Sequence, residues 1–208
     1  MHILINTCKS RYQSELPPLL ASLKASGVPT GSITCVIGNM TDSVSGSWEV
    51  DMATVPYDLY ELGALAWLSE QREFPSEFVF NMHGTMLVGP NFWNTIKDTK
   101  TMKKMMVSYS LHCGVYPVNL IKSLKFWFWN YRNYPTSIMK DRMNVDMDVI
   151  FSMKPANFEH FCGKRNDKGY VDFYGTGQLR HEFYYPEIDI TKFFANDGNQ
   201  GKDYRRQL

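Results

Sequence analysis

The sequence lacks any marked excess of one charge: Lys and Arg number 22, Asp and Glu 21. A net charge of +1 provides no broad field to draw a polyanion, so a nucleic-acid partner would need a local basic patch, and none stands out. Cysteine is scarce and scattered. Cys8, Cys35, Cys113 and Cys162 show none of the paired spacings of zinc sites. No apolar run reaches the length of a membrane span, and the opening MHILINTCKSRYQ carries neither a basic leader nor a signal-cleavage pattern. A reducing, cytoplasmic location is the simplest expectation. No glycine-rich phosphate loop follows the first predicted strand, which argues against a dinucleotide-binding fingerprint.

What is present suits one α/β domain. Hydrophobic residues make up 44%, aromatics 14% and charged residues 21% of 208 positions, enough for a sizeable core under an ordinary polar surface. Ile3–Asn6 reads as a buried parallel strand that delivers a polar loop at its carboxyl end. Leu16, Leu19, Leu20 and Leu23 recur at helical spacing within Tyr12–Ala25, and Gly27 follows as a stop. Ser32–Gly38 is a second strand, rich in β-branched residues, followed by the polar loop Asn39–Ser47. Val50–Val55 predicts a third strand, and Asp58 is placed to cap a helix running to Glu70. Strands follow at Phe78–Phe80 and Met86–Val88, then a helix at Asn91–Lys97 and a strand at Lys103–Tyr109. The order β-α-β-β-α-β predicts a single domain over residues 1–195, with a Rossmann-like mixed sheet flanked by helices. The polar residues 196–208 read as a tail.

The segment EFVFNMHGTMLVGPNFW, from Glu77 to Trp93, is an apolar strand, a polar turn at Asn81–Thr85 and a second apolar strand ending at a Gly-Pro corner. Together with ILINTCKSR, YDLYELGALAWL, SLHCGVYPVNLI and RHEFYYPEIDITKF, it resembles the small GT-A-type glycosyltransferases, including compact viral and bacterial members. The resemblance implies a GT-A-like fold. It also implies a nucleotide-sugar donor half over about residues 1–90, an acceptor half over about 91–195, and transfer of a sugar to a hydroxyl of a glycan or glycoconjugate. The alternative is a degenerate GT-A-like domain that binds nucleotide, glycan or protein without catalysing transfer. Such enzymes carry an Asp-x-Asp metal motif in the turn. Here the turn contains no carboxylate, so dependence on Mn²⁺ or Mg²⁺ is open.

Ligands of open parallel sheets settle outside the strands' carboxyl ends, where Thr7, Arg11, Asn39, Asn81, His83 and Thr85 are expected to meet the donor. Arg11 suits a diphosphate; Thr7 and Asn39 suit a base or ribose, or else merely cap their loops. His83 can donate to phosphate or ligate a metal, or simply bond neighbouring backbone. His181, beside Glu182, is a second metal candidate by its position in the resemblance, and Asp146-Met147-Asp148 is the one literal Asp-x-Asp in the chain. Asp172 stands roughly where related inverting enzymes carry the carboxylate base. On the acceptor side, His112 and Tyr116 flank Gly114. Trp127 or Trp129, within KSLKFWFWNYRNY, offers a stacking face for sugar. That stretch also fits a core helix, through Leu120, Leu124, Phe128 and Tyr131, or contact with a membrane surface.

Overall fold

The computed structural model describes residues 1–59, 62–98, 105–106, 114–132, 158–159, 164–165, 171–172, 182–185 and 188–193. Its centre is a five-stranded sheet. In chain order the elements are β1 (His2–Cys8), α1 (Tyr12–Ala25), β2 (Ile33–Gly38), β3 (Asp51–Thr54), α2 (Gly63–Glu70), β4 (Phe78–His83), β5 (Met86–Val88), α3 (Phe92–Ile96) and β6 (Met105–Met106). Then follow β7 (Gly114–Pro117), α4 (Val118–Ser123), α5 (Lys125–Tyr131), β8 (Phe158–Glu159), β9 (Lys164–Arg165), β10 (Val171–Asp172), β11 (Glu182–Tyr185) and β12 (Ile190–Phe193).

The central sheet has the order β3-β2-β1-β4-β7. β1 to β4 run parallel, and β7 closes one edge antiparallel to β4. A second sheet, β11-β12-β5, is antiparallel and joins the middle of the chain to its later part. The expected order β-α-β-β-α-β holds through β4, and the architecture is α/β with helices on both faces of a mixed sheet.

Alternation along the strands sorts the apolar residues into two cores. Ile3, Ile5, Phe80 and Met82 face α1, α3 and β12, where they meet Leu16, Leu19, Leu23, Phe92 and Ile190. Leu4, Val36, Val79 and Tyr116 face α2, α4 and α5, where they meet Leu65, Leu68, Ile121 and Phe128. A central position, covered on both sides, explains the apolar run Ile3–Ile5 and the unbroken burial of His2–Thr7 in β1.

Two boundaries differ from those expected. β4 continues through His83, because Asn6 of β1 pairs with it in register, so the turn shrinks to Gly84-Thr85. α2 begins at Gly63 rather than near Asp58, and its N-cap position is Leu62. Gly114 lies in β7 opposite Asn81.

Candidate active site at the carboxyl end of the sheet

β1, β2, β3 and β4 all end on one edge, at Cys8, Gly38, Thr54 and His83. The loops that leave them are tied together by backbone bonds. Lys9 N–H donates to the Gly38 carbonyl (2.9 Å), Asn39 N–H to Tyr57 (3.0 Å) and Gly84 N–H to Asn6 (3.0 Å). Asn39 itself has φ 59° and is exposed, which suits an Asn at the tip of a tight exit from β2. α1 and α2 both start at this edge, so the partial positive charge of two helix N-termini is directed there.

Asn6 is the hinge of the α2 side. Its Oδ1 accepts the N–H of Ala64 at 3.0 Å, supplying from β1 the cap that Leu62 cannot provide. The approach is close enough that a Cβ on Gly63 would lie 2.7 Å from that oxygen. On the opposite face, buried Glu15 of α1 accepts a hydrogen bond from the Thr7 hydroxyl at 2.9 Å and lies 4.0 Å from the Arg11 guanidinium. Gly84 packs directly on it, and an added Cβ would sit 2.9 Å from Glu15 Cβ.

The other side chains at this edge are basic or polar. Arg11 and Lys9 are exposed, and Lys9 pairs with Asp42 at 3.0 Å. His83 and Thr85 are half-buried. The Thr85 carbonyl accepts from Phe193 N–H (2.9 Å), which anchors the short turn to β12. At the back of the site, Tyr57 lies under the Arg132 guanidinium, 3.8 Å from the ring centroid. Burial pushes its hydroxyl up to about 12, against the opposing pull of Arg132. It therefore stays a neutral phenol at physiological pH.

A hard divalent cation needs carboxylate oxygens, and the turn presents imidazole and hydroxyl instead. Glu15, the carboxylate against which Gly84 packs, is held by Thr7 on the other face of the sheet from His83. Among the described residues no three of His, Cys, Asp and Glu gather into a metal site. The turn itself therefore offers no carboxylate oxygen to Mg²⁺ or Mn²⁺.

No protein-family model matches the chain, and no curated protein matches it. Solved structures that resemble it in part include the following two. S. aureus TarS (residues 1–349) has 13% identity and a TM-score of 0.41 over 59% of this chain, which spans only 49% of that one. The 4-diphosphocytidyl-2C-methyl-D-erythritol synthase of Anaerococcus prevotii has 11% identity and a TM-score of 0.45, over 82% of this chain and 92% of that one. Overlaps of this size leave the chemistry to be read from the residues themselves.

The structure brings Thr7, Arg11, Asn39, His83 and Thr85 to one edge but does not leave all of them free to meet a ligand. Thr7 is buried and engaged by Glu15. Asn81 is fully buried one pleat below His83, so it lines the interior of the sheet and not the turn. Tyr116 is a fully buried core ring rather than an acceptor contact, because it alternates with residues that face away from α2. Trp127 is half-buried against Tyr131, with centroids 4.3 Å apart, whereas Trp129 on the same helix is exposed. Asp172, in β10, stands opposite Lys164 of β9 in the antiparallel register. His112, His181, Asp146 and Asp148 lie outside the described residues. Two residues escaped the sequence reading, Asn6 and Glu15. Each had a signal: a polar side chain within an apolar strand, and a carboxylate on the apolar stripe of a helix.

Proposed function

We propose that the protein is a transferase whose carboxyl-edge site takes a nucleoside-diphosphate donor, and that the group moved is a sugar passed to a hydroxyl of a glycan or glycoconjugate. The observation that supports this reading is the gathering of cationic and polar donors at the edge. Arg11 and Lys9 follow β1, His83 ends β4, and two helices begin alongside. Arg11 would grip the diphosphate in a bidentate contact, and a protonated His83 would donate to it as the leaving group gains charge. Asn39 and Thr85 offer amide and hydroxyl groups to the base and ribose. In the transfer step the acceptor oxygen bonds to the anomeric carbon, the bond to the diphosphate breaks, and the acceptor's proton passes to a base. Asp172 is the proposed base, with His112 and a tryptophan of α5 toward the acceptor. His181 remains a proposed late donor to the diphosphate.

A second reading, a domain that binds a nucleotide without turning it over, is favoured by one observation. The turn after β4 has no carboxylate, and Glu15 is committed to Thr7.

Calorimetry against UDP, GDP, dTDP and CMP, each with Mn²⁺ and with EDTA, tests the first reading. Saturable binding of one nucleoside diphosphate supports it, and failure of all four overturns it. His83→Ala should weaken that binding roughly tenfold, the worth of a charge-assisted hydrogen bond. Asp172→Asn should abolish turnover with donor affinity intact; an inactive wild type that still binds nucleotide would select the second reading.

A further inference from the structure

The described residues expose two large apolar side chains, and both are on α5: Phe126 at 81% and Trp129 at 57%. They are three apart, so they project from one side of the helix, opposite Phe128 and Tyr131, which are buried against α2. Lys125 stands exposed beside them, and Lys122 lies in the last turn of α4 just before, with its ammonium donating to the Arg72 carbonyl at 2.9 Å. From Val118 to Arg132 there is no Asp or Glu. Arg132 is already paired with Glu70 at 2.5 Å, while exposed Arg72 and Glu73 of the adjoining segment offset each other. Within α4 and α5 the charged residues beside the rings are therefore all basic.

We propose that this face of α4 and α5 is a membrane-docking surface that seats Phe126 and Trp129 among the headgroups of an anionic phospholipid bilayer, with Lys122 and Lys125 on the phosphates. Two rings at these exposures offer apolar area on the order of 300 Å², well short of the ~800 Å² per partner of a stable protein interface. A bilayer needs no such area: aromatic rings partition singly into the interface, and each nearby lysine adds attraction to an anionic leaflet. The chain has a geometry for using this contact. Arg132, at the end of α5, stacks on Tyr57, and Tyr57 accepts a backbone bond from Asn39 at the carboxyl edge of the sheet. Docking α5 would therefore bring the candidate site close to the lipid surface. The proposal does not depend on what that site binds.

The test is co-sedimentation of the full chain with vesicles of phosphatidylcholine alone and of phosphatidylcholine with phosphatidylglycerol. Binding is expected to the anionic vesicles, with loss on raising salt. Phe126→Ala with Trp129→Ala should reduce it about tenfold or more, as should Lys122→Gln with Lys125→Gln. Unchanged thermal midpoints of the variants confirm that they are folded. Absence of binding to the anionic vesicles, or equal binding by folded ring variants, overturns the proposal. So does a concentration-dependent dimer in sedimentation velocity that the ring variants abolish while vesicle binding persists.

Discussion

Glu15 sits among Tyr12, Leu16 and Leu19 on the buried stripe of α1, where a carboxylate is costly unless it is bonded. Thr7 meets that need, and Gly84 makes room for it. Gly84→Ala should therefore destabilise the fold by about 1–3 kcal/mol through overpacking, measured by urea unfolding. The same substitution in a Glu15→Ala background should cost much less. Equal costs in both backgrounds would show that Glu15 is not what confines Gly84. His2 gives a second prediction at this scale. It is buried, shares a hydrogen bond with Thr34 (2.8 Å), and lies edge-on to Phe74. Burial chiefly lowers its pKa to about 4, against an attraction from Asp51. The folded state thus holds this imidazole neutral while the unfolded chain protonates it near 6.5. The contribution is full above about pH 6.5 and is lost as pH falls toward 4. The thermal midpoint of the wild type should drop between pH 7 and pH 5 more steeply than that of His2→Gln, and parallel curves would remove His2 as the cause.

Among the elements, α2 shows how a boundary can be set from outside the segment. Leu59, Leu62, Leu65 and Leu68 are all buried, and their periodicity makes a helix legible from Asp58 onward. The helix nevertheless starts at Gly63, because a side chain fifty-eight positions earlier supplies its cap. Asn6→Ala should cost about 1–2 kcal/mol, leaving the Ala64 N–H buried and unbonded, and Asn6→Asp should recover part of that loss. Chemical denaturation of the three proteins checks this; an Asn6→Ala variant as stable as wild type would mean that the helix start is satisfied in some other way. β4 follows the same logic. Its apolar residues predict a strand to Phe80; pairing with β7 and β1 extends it through Asn81, and pairing with β1 carries it on to His83 and shortens the turn.

In the whole molecule, one sheet separates two cores that share its strands, so the layers should unfold together. Phe80→Ala in one core and Phe128→Ala in the other should each lower stability by about 3–5 kcal/mol. Each should shift a single denaturation transition, and two separable transitions would show the layers to be independent. Much of this architecture is legible in the chain: the apolar run Ile3–Ile5 of β1, the helical stripe of α1 and the strand-helix alternation call for a parallel sheet covered on both faces. The basic and polar residues at the strand ends also mark the candidate edge, since strand direction alone decides where loops emerge. Which of those residues stays open was not legible. Thr7 faces a carboxylate, Asn81 lies in the sheet interior, Tyr116 is core, and Trp129 rather than Trp127 meets solvent. Local periodicity reports what a segment does to its own neighbours. The side of a strand that faces open space depends on register and on what packs above it, and those are properties of the folded sheet.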